Sequence, residues 1–191
     1  MDDTEIKQIV SIHQKTLGED LLPQLGESFL RGFYHYVNQS GYEKIFTIKD
    51  DNKILATCII SYKSNTLMNR VIKNLFFQLL SAVSTKIFTN KKLYKYILKI
   101  IISKSYFESL SPEISYIFTN PEFQGKGIGH KMLITVEENL LNKNIKEYYV
   151  KTINVSTNKA IQFYKKNGFE YFDDFEYAGN SYLYLKKSLN V

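Results

Sequence analysis

Apolar positions along the chain change their period several times, and each change predicts an element. Ile6, Ile9, Val10, His13 and Leu17 recur at helical spacing, after Asp3 or Thr4 as a cap and before a stop at Gly18. Leu22, Leu25, Phe29, Leu30, Phe33 and Val37 predict a second helix from Pro23 to about Asn38. Glu43 to Lys49 and Lys53 to Tyr62 then read as two strands around Asp50-Asp51-Asn52, and the run Leu55 to Ile60 fits a central strand buried on both faces. Leu67, Met68, Val71, Ile72, Leu75, Phe76, Leu79, Leu80 and Val83 form a wide apolar stripe that predicts a helix, with another over Lys91 to Ser103. Ile114, Tyr116 and Phe118 mark a strand ended by Asn120-Pro121, and Ile128, Met132, Leu133, Val136 and Leu140 mark a helix. Lys146 to Ile153 reads as a strand and Ser156 to Asn167 as a short helix stopped by Gly168. Phe169 to Tyr177 and Ser181 to Lys187 close the chain as a hairpin. This alternation, with a two-stranded end, predicts a mixed α/β sheet.

Composition places the elements in one unit spanning 1–191. The 191 residues are 44% apolar and 15% aromatic, enough for a core, and 3 prolines with no Gly or Ser run mark no linker. The single cysteine, Cys58, lies in an apolar run and reads as a small core residue. The acidic start Met1-Asp2-Asp3-Thr4-Glu5 has no apolar signal region, so a cytoplasmic protein is expected. His13, His35 and His130 have no metal spacing, and no metal is expected.

Charge is uneven. Between Ile54 and Phe107 there is no Asp or Glu, while Lys63, Arg70, Lys73, Lys86, Lys91, Lys92, Lys95, Lys99 and Lys104 supply nine positive charges. That exceeds the whole-chain net charge of +6, so the remainder is net negative. The basic helical stretch 65–107 reads either as a solvated face or as a surface for anionic lipid, a phosphorylated acceptor or CoA phosphates. No base-reading motif accompanies it, and nucleic acid is not expected as a partner.

Candidate chemistry gathers where the strand ending at Thr119 passes to the next helix through Gln124-Gly125-Lys126-Gly127-Ile128-Gly129-His130. Glycines let backbone approach a ligand closely, and a helix starting there turns unpaired N–H groups and its positive dipole end toward an anion. A nucleotide-hydrolase loop needs Gly-Lys-Ser/Thr after a longer spacing, and the dinucleotide fingerprint needs Gly-x-Gly-x-x-Gly; neither fits. A glycine-rich turn without a ligand is the plain alternative.

Gln124-Gly125-Lys126-Gly127-Ile128-Gly129 resembles the pyrophosphate loop of the GNAT acetyltransferase superfamily, Gln/Arg-x-x-Gly-x-Gly/Ala, at all three specified positions. Asn158-Lys159-Ala160-Ile161-Gln162-Phe163-Tyr164-Lys165-Lys166-Asn167-Gly168-Phe169 resembles that family's later acetyl-CoA motif. The resemblance covers about Glu113 to Lys187 well and the first half only in plan. It implies a central mixed, mostly antiparallel sheet flanked by helices, here with an extra helical insertion between the third and fourth family strands. The family usually opens with a strand, for which this chain has almost no room before its first helix.

Acetyl transfer to an amine requires a pyrophosphate cradle, a polarised thioester carbonyl, removal of an amine proton and protonation of the leaving thiolate. The resemblance implies the cradle at Gln124, Gly125, Lys126, Gly127, Ile128, Gly129 and His130, and a polarising main-chain N–H at Phe118 or Thr119. Tyr164 is implied as the acid, against a plain role in the core. Asn158 lies two residues before Ala160 where the family's asparagine lies three before, so Thr157 and Asn154 stay alternatives. Glu113 is the first choice of general base, with an exposed strand-end charge or a water chain as alternatives. The connection between the first two helices lines the acceptor pocket in the family, which implies Glu19 and Asp20 here with the nearby aromatics Phe29 and Tyr34, for which a place in the core is the plain alternative.

The leading expectation is an acetyl-CoA-dependent N-acetyltransferase acting on a small-molecule amine, with a homodimer left open. A non-catalytic acyl-CoA-binding module and a basic membrane-surface protein are the alternatives from other classes.

Overall fold

The computed structural model describes residues 1–87, 110–177 and 179–189. Its elements are α1 (Asp3–Leu17), α2 (Leu21–Gln24), α3 (Glu27–Gln39), β1 (Glu43–Asp50), β2 (Lys53–Ser61), α4 (Ser64–Asn74) and α5 (Phe76–Ile87). There follow β3 (Glu113–Thr119), a 3-10 turn at Pro121–Phe123, α6 (Ile128–Leu141), β4 (Glu147–Ile153), α7 (Lys159–Lys166), β5 (Glu170–Tyr177) and β6 (Asn180–Ser188).

The six strands form one sheet in the order β1-β2-β3-β4-β6-β5. Every neighbouring pair is antiparallel except β3 and β4, which run parallel because α6 crosses over between them. That parallel pair is short. Only Glu113 opposite Tyr149 and Ile114 opposite Val150 are in register, so the two strands part beyond Ile114.

Two cores sandwich the sheet. One face of β2 and β3 packs Ile54, Ile59 and Phe118 against Ile9, Leu30, Phe33 and Tyr34 of α1 and α3. The other packs Ala56, Cys58, Ile60 and Ile114 against Met132, Leu133 and Val136 of α6 and Tyr164 of α7. Strand β2 is buried throughout after Lys53, as its unbroken apolar run requires.

Local chemistry moves several predicted boundaries. Asp2, rather than Asp3 or Thr4, caps α1: it accepts from Glu5 N at 2.8 Å while its own N–H reaches Glu5 Oε2 at 3.3 Å. The second helix divides into α2 and α3 because Gly26 has φ +102°, which no continuous helix allows. Among the described residues no strand precedes β1, so the sheet begins there.

The predicted stripe from Leu67 to Val83 also divides, at Leu75 (φ −111°). Leu67, Val71 and Leu75 stay inside and Leu79 and Val83 pack against the same core, but Phe76 and Leu80 are 53% and 56% exposed; the break turns those two outward, beside Phe77 at 83%. The predicted helix over Lys91 to Ser103, with Lys92, Lys95 and Lys99, lies outside the described residues. A buried group ties α4 to the sheet: Arg70 pairs with Glu43 and donates from Nε to Tyr36 Oη at 3.0 Å, while Ser61 donates to Glu43 at 2.8 Å.

Candidate active site

Where β3 ends, Asn120 begins the loop: its N–H donates to Leu55 O at 2.8 Å and its side chain accepts from Glu122 N at 3.3 Å. Gln124 folds back and donates to Thr119 O at 3.2 Å, closing the loop on the strand. Lys53 and Lys126 set their ammonium groups 4.7 and 4.9 Å from the Phe123 ring, and Lys53 pairs with Glu122 at 2.6 Å, which offsets one of the two charges.

Gly127 occupies the N-cap of α6 in the left-handed region (φ 77°, ψ 0°) and no side chain caps the helix. The first helical hydrogen bond is donated by Lys131 to Gly127 O at 3.0 Å, so the N–H groups of Ile128, Gly129 and His130 have no partner one turn earlier. A Cβ added to Gly127 would meet nothing within 4 Å. Three unpaired donors and a helix's positive end thus face open space, an arrangement that suits phosphate oxygens.

Gly129 has a different duty. A Cβ there would come within 3.2 Å of the Phe163 ring and 3.7 Å of Thr119 Oγ1, so its lack of a side chain lets α6, α7 and β3 converge. His130 points away from the cradle, and Nδ1 meets Asn167 Oδ1 at 2.5 Å. Asn167 Nδ2 already donates to Phe163 O at 2.8 Å, so its oxygen must accept and the histidine proton sits on Nδ1. In this loop the His130 N–H is one of the unpaired donors and its ring is spent on Asn167 at the end of α7. Asn158 is committed similarly: Oδ1 accepts from Ala160 N at 3.0 Å, and Nδ2 donates to Thr152 Oγ1 at 2.8 Å and Ile153 O at 2.7 Å. It caps α7 and ties that helix to the end of β4. Of the alternatives, Asn154 donates to Ser181 Oγ at 3.5 Å and Thr157 lies in the turn before α7.

The polarising donors require the hydrogen-bond alternation along β3. Ser115 is an extra residue, because Ile114 opposes Ile60 while Tyr116 opposes Ile59. This bulge reverses the alternation, sending Ile114 to the α6 core and Tyr116 and Phe118 to the α1 core. Tyr149 N donates to Pro112 O at 2.9 Å, and Asn120 N to Leu55 O, which pins the pattern at both ends. Between them Ile117 and Thr119 turn their N–H groups toward the side on which β4 has departed, and Phe118 turns its own toward β2. Thr119 therefore stands on the open edge, Phe118 does not, and Ile117 joins it. A residue pattern alone does not reveal Ile117, since bulge position is set by pairing.

Glu113 lies about 20 Å from Thr119, six steps at about 3.3 Å each along β3. It is buried where β3 and β4 are last paired, not exposed, with Lys151 Nζ at 3.3 Å. Tyr164 is also buried, between Phe163 and Phe169 at ring distances of 5.3 and 5.2 Å. Burial pushes its hydroxyl well above the ordinary range, and the nearby Cys58 and Glu113 push in the same direction. It stays a protonated donor. Phe29 and Tyr34 are core residues, 2% and 0% exposed. A cavity of about 440 Å³ borders Phe29, Gly26 and Glu27 on one side and Phe77, Gln78 and Ala82 of α5 on the other.

Among the described residues there is no metal-binding group of three or more His, Cys, Asp or Glu, and no helix is long and apolar enough to cross a membrane.

Residues 41–171 match the family model for the acetyltransferase (GNAT) domain. Solved structures with this fold include the ribosomal-protein-S18-alanine N-acetyltransferase from Escherichia coli, 12% identical with a TM-score of 0.60, covering 100% of this chain and 92% of that one. An acetyltransferase from Thermus thermophilus is 11% identical with a TM-score of 0.61, over 99% and 94% of the two chains. The PaiA N-acetyltransferase from Thermoplasma acidophilum, solved in complex with coenzyme A, is 10% identical with a TM-score of 0.58, over 98% and 95%. No curated protein matches the chain in sequence.

Proposed function

Since the chain belongs to the GNAT acetyltransferase family, we propose that it moves an acetyl group from acetyl-CoA to a primary amine of a small-molecule acceptor by direct attack. The observation that carries this reading is the row of unpaired N–H groups opening α6 beside the free edge of β3. Pyrophosphate oxygens would take the first, and the Thr119 and Ile117 N–H groups would serve the pantetheine and thioester oxygens.

The proton balance uses two residues. The acceptor arrives as an ammonium, and Glu113, four strand steps of about 3.3 Å from Ile117, takes one proton from it through a chain of waters, leaving a nucleophilic amine. The amine attacks the thioester carbonyl, the C–N bond forms and the C–S bond breaks. Of the two protons left on nitrogen the amide keeps one, and the other is lost as the intermediate collapses and balances the departing thiolate, which Tyr164 stabilises with a donated hydrogen bond. A hydroxyl this reluctant to ionise suits donation to sulfur with prompt reprotonation, not lasting release of its proton.

The test pairs calorimetry with turnover. Gly127→Asn tolerates the left-handed backbone while filling the cradle, so a folded variant should bind CoA at least about tenfold more weakly. Undiminished affinity would remove the cradle. A panel of primary amines then separates catalysis from a module that only binds acyl-CoA: the enzyme releases CoA thiol with at least one of them.

A further inference from the structure

Glu113 is held by two strands other than its own. Its register partner on β4 is Tyr149, and Lys151, two residues further along the same face, sets Nζ 3.3 Å from Glu113 Oε1. Lys151 in turn faces Tyr184 across the β4–β6 pair, and the Tyr184 hydroxyl lies close enough to the same carboxylate for that charge to oppose its ionisation. Burial, followed by the Glu113 charge, pushes that hydroxyl up, so it remains a donor.

The carboxylate therefore sits at the vertex where the sheet divides, gripped from the far arm. The Glu113 side chain is 3% exposed and that of Lys151 is 48% exposed. A buried carboxylate without partners would carry a heavy desolvation cost, which an ammonium and a hydroxyl together offset. Other groups nearby are uncharged or engaged elsewhere: Ser61 opposite Glu113 donates to Glu43, and the Tyr149 hydroxyl donates to Glu147 at 2.7 Å. Tyr164 approaches from α7 closely enough for the carboxylate to oppose its ionisation.

We infer that Lys151 and Tyr184 are positioning residues for acetyl transfer, holding the Glu113 carboxylate aimed into the vertex. The inference rests on the reading of Glu113 as the base. It makes the far arm of the sheet, and not only β3, part of the catalytic apparatus. A brace that merely tied β3 to β4 would be indifferent to what Glu113 does, and this difference can be measured.

The experiment is a double-mutant cycle on the full chain, using the primary amine from the panel that turns over fastest and following thiol release. Glu113→Gln should lower kcat by about 10²-fold or more. Lys151→Met should lower kcat about tenfold or more with acetyl-CoA affinity unchanged by calorimetry, while Lys151→Arg, which keeps the charge, stays within about threefold of wild type. The deciding variant is Glu113→Gln with Lys151→Met: its kcat should match Glu113→Gln alone within about twofold, because Lys151 then has nothing to position. Tyr184→Phe should behave like Lys151→Met, more mildly. Additive losses, or wild-type kcat in Lys151→Met while Glu113→Gln is impaired, overturn the positioning role and leave the base assignment standing. Wild-type kcat in Glu113→Gln overturns the base assignment and this inference with it, as does a panel in which no amine is acetylated. Thermal melts of each variant report folding separately, and a Lys151→Met that melts early yet keeps kcat counts against the inference.

Discussion

His13 on α1 should make the protein sensitive to mild acid. Its ring is fully buried, with centroids 4.8 Å from Tyr116 and 5.0 Å from Phe118, and Nδ1 meets Tyr34 Oη at 2.7 Å. Nε2 has no partner among the described residues, nor has the buried Thr57 Oγ1 on the strand beside Phe118. Burial moves the histidine down from 6.5 to about 4. The sign follows directly: below pH 6.5 the unfolded chain binds a proton that the folded protein refuses until about pH 4. Stability is thus complete above pH 6.5 and is lost as pH falls toward 4, by about 3 kcal/mol from this one group. Against a typical total of roughly 5–15 kcal/mol, that is a large share. His13→Gln removes the titration and keeps a polar group for Tyr34. It should cost stability at pH 7.5 through poorer packing, yet its urea-unfolding free energy should fall by about 3 kcal/mol less than wild type's between pH 7.5 and pH 4. Carboxylates that titrate in the same range act in both proteins and cancel in the difference. Wild-type and variant curves that run parallel would refute the reasoning.

Two further outcomes test other parts of the molecule. Tyr164→Phe keeps the ring between Phe163 and Phe169, so it should lower kcat about tenfold or more with acetyl-CoA affinity and melting temperature little changed; wild-type kcat under single-turnover conditions would return the residue to the core. Arg70→Met leaves the Glu43 carboxylate, whose side chain is 0% exposed, without its cation, and should cost about 3 kcal/mol. In the same melts, Arg70→Met combined with Glu43→Gln should recover part of that loss, and a double variant no more stable than the single one would contradict the account.

What was legible in the sequence shares one property: it depends on residues within a turn or two of each other. The β2 run reads as buried on both faces because no charged side chain interrupts it from Leu55 to Ile60. The glycine turn that opens α6 is legible because only glycine readily adopts the φ of +77° found at Gly127, and a helix start leaves donors unpaired whatever surrounds it. Asn158 was equally visible as a residue that precedes a helix, though not as one whose amide is spent on β4. Even the pause at Gly26 has a local cause, although the apolar spacing runs straight across it.

Only the tertiary structure decided where β3 and β4 separate, because that depends on how far two strands joined by α6 stay in register. It decided that Ser115 bulges, which sends Ile117 and not Phe118 to the open edge, since pairing with β2 and not residue type sets the count. It also buried Glu113 among partners at positions 151 and 184, far along the chain. A carboxylate at the start of a strand looks exposed until the neighbouring strands are known. Charge pairing across a sheet is a property of register, and register is fixed by which faces are buried together.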